Sequence, residues 1–235
     1  MDGLPSAPAT LPGSLLSDES WLSDRVDQIG RQLCCPDRRT GATLWWYSAS
    51  VVLLGPSVHA LVTSGTGRAL TPSTIRFSLR LNGYLERVVA GPELEVGAAA
   101  LGRHLDDALA EVIEPLARTG RASERSLWAI AADSLATRVL AETAVLPGTF
   151  VLPGTSGTDE APRIASAIAE AGARLRPRPR FQDVQGRPDR PDRRYVRRGS
   201  CCLLYRVPDG LCISCPKQTP ADRLQRLQQH ARTMG

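Results

Sequence analysis

GAAALGRHLDDALAEVIEPLAR (residues 97–118) and SERSLWAIAADSLATRVL (residues 123–140) set the fold class. In the first, Leu101, Leu105, Leu109, Val112, Ile113 and Leu116 recur at the three- and four-residue intervals that line one face of a helix. In the second, Leu127, Ile130, Ala131, Leu135, Val139 and Leu140 do the same, leaving Glu124 and Glu142 for the solvated side. Two such helices in succession predict a mainly helical core. Upstream, a third apolar run starts at Thr43 and reaches Val62, with Pro56 as a point of bending. A fourth helix, capped by Ser17 or Ser20, carries Trp21, Leu22, Val26, Ile29 and Leu33.

Between these helices the period changes. Ile75, Phe77, Leu79 and Leu81 alternate with Thr74, Arg76, Ser78 and Arg80, the pattern of a half-buried strand. Asn82-Gly83 predicts a two-residue turn, with Tyr84 to Val89 returning as the partner strand. Downstream, the string VLPGT occurs twice, at 145–149 and 151–155, and reads as a loop. Short helices are expected over 159–173 and, with Pro220 in its first turn, over 219–232. The expectation is an α+β, mainly helical protein: a bundle-like domain with a small β-hairpin and a compact, cysteine-rich C-terminal segment. Its parts are a flexible tail over 1–16, the helical domain over 17–173, an Arg/Pro-rich connector over 174–192 and the C-terminal segment over 193–235.

Composition agrees with a globular chain. Of 235 residues, 42% are hydrophobic and 23% charged, while aromatics make up only 5%, so Leu, Val, Ile and Ala must fill the core. The start of the chain carries Asp2 and three prolines before residue 14 and no basic residue, unlike an export signal. The apolar run from Thr43 contains Ser48, Ser50, Pro56, Ser57 and His59, too polar for a membrane span. A cytoplasmic location with reduced thiols is therefore expected. The net charge is +5, and Lys217 is the one lysine among 29 basic residues. Ten arginines against three aspartates crowd residues 174–198, so the excess positive charge lies just before the cysteines.

Cys201, Cys202, Cys212 and Cys215 form the pattern C-C-x9-C-x2-C. Leu203 to Val207 reads as a strand and Pro208-Asp209-Gly210 as a reversal, which would return the second pair beside the first. Four cysteines suit structural zinc or an iron–sulfur cluster. Neighbouring side chains on a strand point to opposite faces, which makes an adjacent pair awkward for one zinc ion. A 2Fe–2S centre, with two irons, accommodates it with less strain. Spacing thus favours the cluster over zinc, with a thiol–disulfide switch third.

RRGSCCLLYRVPDGLCISCPKQTPADRLQRL (residues 197–227) resembles the C-terminal signature of FhuF-like ferric siderophore reductases, in which an adjacent cysteine pair and a later C-x2-C bind a 2Fe–2S cluster. TLWWYSASVVLLGPSVHALVTSG (43–65), SLWAIAADSLATRVL (126–140) and RPRFQDV (178–184) resemble segments of actinobacterial-type members. Members commonly have ten residues between the pairs where this chain has nine, a change in the turn and not in the number of thiols. By motif position, the resemblance implies Cys201, Cys202, Cys212 and Cys215 as cluster ligands. It further implies a one-electron reductase of siderophore-bound Fe(III) that releases Fe(II). Arg197, Arg198 and Arg206 lie close in sequence and are expected to stabilise the reduced, more anionic cluster.

A separate electron donor protein, a ferredoxin or a flavin reductase, is expected, because Ser64-Gly65-Thr66-Gly67 lacks the strand–glycine–helix setting of a dinucleotide site. The competing reading is a non-enzymatic four-cysteine zinc module whose arginines bind nucleic acid. Interspersed Asp and Pro and the lack of successive stacking aromatics argue against it. A cluster used as a regulatory sensor shares the same sequence features. Cys34-Cys35 has no further ligand nearby, and Trp45-Trp46-Tyr47, at the start of an apolar helix, fits core packing better than a wall for a chelate. His59 reads as a satisfied core histidine.

Overall fold

The computed structural model describes residues 10–145, 159–186, 188, 192–208, 210 and 212–233. Strand β1 (Leu11–Pro12) leads through a 3-10 turn (Gly13–Ser17) into helix α1 (Glu19–Gln32). Helix α2 (Arg38–Ser64) follows, then strands β2 (Thr66–Arg68), β3 (Arg76–Leu79), β4 (Leu85–Val89) and β5 (Glu93–Val96). Helices α3 (Ala98–Gly120), α4 (Glu124–Val145) and α5 (Glu160–Ala171) complete the body. Strands β6 (Phe181–Val184) and β7 (Arg193–Val196), a short 3-10 turn (Leu204–Arg206) and helix α6 (Pro220–Thr233) finish the chain. The protein is α+β and mainly helical.

Helix α2 is the hub. It packs against α1, α3, α4, β2 and β4, which explains why its sequence is apolar nearly all round. Trp45 and Trp46 are fully buried on it, and the Trp46 indole donates to the Leu127 carbonyl of α4 at 2.8 Å. The paired tryptophans therefore serve the core. The helix begins five residues before the apolar run, because Asp37 caps it by accepting from Thr40 N–H at 2.8 Å. Asp18, in place of the expected serines, caps α1 through Trp21 N–H at 2.7 Å.

Strands β3 and β4 pair antiparallel as expected, but the connection has three residues instead of two. Arg80 N–H donates to the Tyr84 carbonyl and Gly83 N–H to the Arg80 carbonyl, with Gly83 in the left-handed region at φ 81°. Asn82-Gly83 thus ends a three-residue loop whose bulge shifts the register next to Leu79. Residues 10–16, grouped by composition with a tail, are part of the fold. Leu11 pairs with Phe77, Gly13 N–H donates to Ile75 carbonyl at 2.9 Å, and Leu16 is buried. Residues 1–9 and the VLPGT strings beyond Val145 lie outside the described residues. The Arg/Pro-rich stretch carries a strand of its own: β6 pairs with β7, and Asp183 faces Arg194 across the ladder with two hydrogen bonds of 2.6 and 2.7 Å.

Helices α3 and α5 approach closely at Gly102, where an added Cβ would sit 2.2 Å from the Ile168 carbonyl oxygen. Gly102→Ala should cost about 2 kcal/mol and lower the thermal midpoint by roughly 6 °C. Gly30→Ala in α1, whose Cβ would meet nothing within 4 Å, should leave the midpoint unchanged or raise it. A thermal melt of both variants checks the packing of α3 on α5.

Candidate metal centre

The segment that follows β7 returns to the helical body at one point. On α4, between fully buried Ala132 and Leu135, Asp133 is itself buried at 6% exposure. Its carboxylate accepts from Gly199 N–H at 3.0 Å, from Ser200 N–H at 2.9 Å and from the Ser200 hydroxyl. Arg198 Nε lies 3.6 Å from the same carboxylate. One acidic side chain thus takes up the backbone donors directly before the first cysteine pair.

The expected strand over 203–207 is absent. Leu203 adopts a left-handed conformation at φ 63°, and Leu204–Arg206 form a 3-10 turn. The tight turn aims the backbone N–H groups of Leu203 and Leu204 back at the sulfurs of Cys201 and Cys202. An extended strand would have sent the adjacent side chains to opposite faces. At the reversal, Gly210 passes so close to Leu204 that a Cβ there would lie 1.9 Å from its carbonyl oxygen. Only glycine fits, and the second cysteine pair comes back over the first.

The four thiols meet as two pairs, one member from each half of the motif. Cys212 donates to Cys202, and Cys201 donates to Cys215. The hydrogen bond from Cys212, followed by the charge of Arg198, holds the Cys202 thiol down to about 5 against its burial. Cys212 is pushed up by donating to Cys202 and by burial, and Cys201 by burial first. Among the described residues, no three or more His, Cys, Asp or Glu side chains are grouped to hold one metal ion. Thiols gathered in pairs would suit the two irons of a 2Fe–2S centre better than one tetrahedral zinc. Cys202 and Cys215 are buried while Cys201 and Cys212 are half-buried, so the centre has one sheltered and one accessible side.

The three arginines singled out in the sequence have different surroundings. Arg198 is buried, stacks over the Tyr47 ring at 4.4 Å and directs Nη1 at Cys212 Sγ, 3.8 Å away. Its Nε is buried without a hydrogen bond, with the Asp133 carboxylate as its charged neighbour. Arg206 is held away from the thiols by Asp37 at 2.9 Å and Thr40 Oγ1 at 3.1 Å. Arg197 is exposed. Sequence reasoning missed Asp133, although an aspartate inside the apolar string AIAADSLA is a visible signal of a buried partner. Elsewhere, Cys34 is exposed and Cys35 half-buried. His59 is half-exposed and paired with Glu142 at 2.9 Å, at the surface and not in the core. His104 Nε2 accepts from Leu70 N–H at 2.8 Å.

Replacing Asp133 with alanine would strand the Gly199 and Ser200 donors and leave Arg198 facing an apolar hole. Asp133→Ala should cost about 3 kcal/mol and release the 198–200 segment from α4. Thermal denaturation, with limited proteolysis near residue 200, checks this; an unchanged midpoint and proteolytic pattern would refute the anchoring role.

A search among curated proteins returns no match. Residues 198–217 match the family model described as the FhuF 2Fe-2S C-terminal domain, the span that runs from Arg198 through both cysteine pairs to Lys217. Over this span the chain is similar to the 2Fe–2S-binding segment of FhuF-like proteins, and the cofactor it indicates is a 2Fe–2S cluster.

Proposed function

We propose that the protein is a cytoplasmic ferric-siderophore reductase that transfers one electron to chelated Fe(III) and releases Fe(II), with Cys201, Cys202, Cys212 and Cys215 holding the 2Fe–2S cluster. When bound, the cluster supplies a one-electron carrier. The observation that carries the reading is a cavity of about 660 Å³ that has half-buried Cys201 in its wall, next to Gly199 and Ser200. A volume in this range suits a small-molecule ligand, and the cavity brings such a ligand up to the accessible side of the thiol quartet. The electron comes from a separate ferredoxin or flavin reductase. It ends on the iron of the chelate, where the lower charge of Fe(II) weakens its hold on hard oxygen donors. No general base or nucleophile is required. Among the described residues, no helix is long and apolar enough to cross a membrane.

Arg198 supports the cluster's negative charge from a desolvated position, where charge is poorly screened. Tyr47, Asp133 and Ser200 fix its guanidinium, so the thiolates meet a preorganised cation. Domain roles follow: the helical body over 17–173 acts as scaffold, the stretch over 174–192 as connector and the segment over 193–235 as cluster holder.

Anaerobically purified protein should be red-brown with about two irons and two sulfides per chain, and after chemical reduction it should reduce ferric chelates. A colourless protein with one zinc, or a coloured one inert towards every ferric siderophore offered, would overturn the reading. Cys201→Ser and Cys215→Ser should each abolish visible absorption while far-UV circular dichroism keeps the helical signal. Arg198→Met should lower the midpoint potential by about 60 mV, a tenfold shift for one electron, whereas exposed Arg197→Met should move it far less.

A further inference from the structure

Arg39, Arg125, Arg176, Arg206 and Lys217 all line the cavity beside Cys201, and among the described residues no carboxylate does. The five come from distant parts of the chain: the first turns of α2 and α4, the stretch after α5, and both sides of the second cysteine pair. Two of them are built in. Arg206 is fixed by Asp37 and Thr40, and Arg176 donates to the carbonyls of Ala169, Gly172 and Leu175. The other three, Arg39, Arg125 and Lys217, have no carboxylate partner among the described residues, and Lys217 reaches over the Tyr205 ring at 6.0 Å. Elsewhere on this surface arginines are paired, as in Arg68–Glu93, Arg118–Glu19 and Arg178–Glu170. Unpaired cations gathered in a concave site, with apolar atoms of Leu203, Pro177 and Ala129 between them, form a receptor for an anion with an organic periphery.

We infer that this cavity selects negatively charged ferric chelates, of the tris-catecholate or carboxylate-rich class, over uncharged or cationic trihydroxamate chelates. The inference rests on the reductase reading and names its substrate class. A cluster held by four thiolates is itself anionic and would repel an anionic chelate. Arg39, Arg125 and Lys217, without a carboxylate partner among the described residues, and Arg176 beside them counter that repulsion, so an anion can come up to the Cys201 side. A protein donor would need a broad complementary face; the concavity admits a compact ligand.

Gallium(III) matches iron(III) in charge and size and is not reduced, so it separates binding from turnover. Holoprotein should bind a trianionic gallium tris-catecholate complex measurably by isothermal titration calorimetry, and more tightly than an uncharged gallium trihydroxamate. Raising the salt concentration should weaken the first and leave the second nearly unchanged. The double variant Arg125→Gln/Lys217→Gln, with its cluster absorption intact, should lose about tenfold in affinity for the anionic complex and little for the uncharged one. Equal affinity for the two complexes, or an anionic affinity untouched by the double substitution, would overturn the inference. Reduction of ferric chelates without a charge preference defeats this inference alone. Charge-selective gallium binding by a protein that reduces no ferric chelate defeats the reductase reading and leaves the anion site standing.

Discussion

Asp133 is the constraint on which the C-terminal segment depends. A carboxylate buried inside an apolar helix is costly unless it is hydrogen-bonded and its charge is balanced, and here Gly199 N–H, Ser200 N–H and the Ser200 hydroxyl donate to it, with Arg198 balancing the charge. The exchange runs both ways. Helix α4 obtains partners for a charge it could not otherwise bury, and the cysteine segment obtains a fixed origin on a rigid element. From that origin, the left-handed Leu203 and the 3-10 turn after it determine where the first two sulfurs lie. The second pair is placed by the close pass at Gly210.

Charge is arranged in two layers around the thiols. Arg198 is desolvated, stacked on Tyr47 and within reach of Cys212 Sγ, so it acts on the thiolates directly. The cations of the neighbouring cavity are solvated and act on whatever approaches from outside. In the reductase we propose, the first layer would bear on the stability of negative charge inside the protein, the second on the encounter with a ligand. Arg206 belongs to the outer layer, because Asp37 and Thr40 hold its guanidinium. Proximity in sequence had grouped it with Arg198; the fold separates them.

The helices were legible because their apolar residues repeat at helical spacing over many turns, as in Leu101 to Leu116 and Leu127 to Leu140. The β3–β4 pairing was legible from alternation, but the length of its loop depended on a bulge that no two-residue motif encodes. Strand β1 was hidden because two residues carry no period, and only its partner Phe77 makes it a strand. The strand expected at 203–207 failed for a related reason. Its apolar residues fit a strand locally, whereas the left-handed Leu203, the close pass at Gly210 and the anchor on Asp133 impose a tight turn.

The chain alone was enough to establish a mainly helical α+β body, a cysteine motif spaced for a 2Fe–2S cluster and a concentration of arginine ahead of it, since each is written in local order and spacing. Only the folded molecule decided which thiol faces which, that Asp133 carries the segment, and that Arg39, Arg125 and Arg176 gather with Lys217 at one opening. Those relations join residues dozens of positions apart, and packing, which local pattern does not record, brings them together.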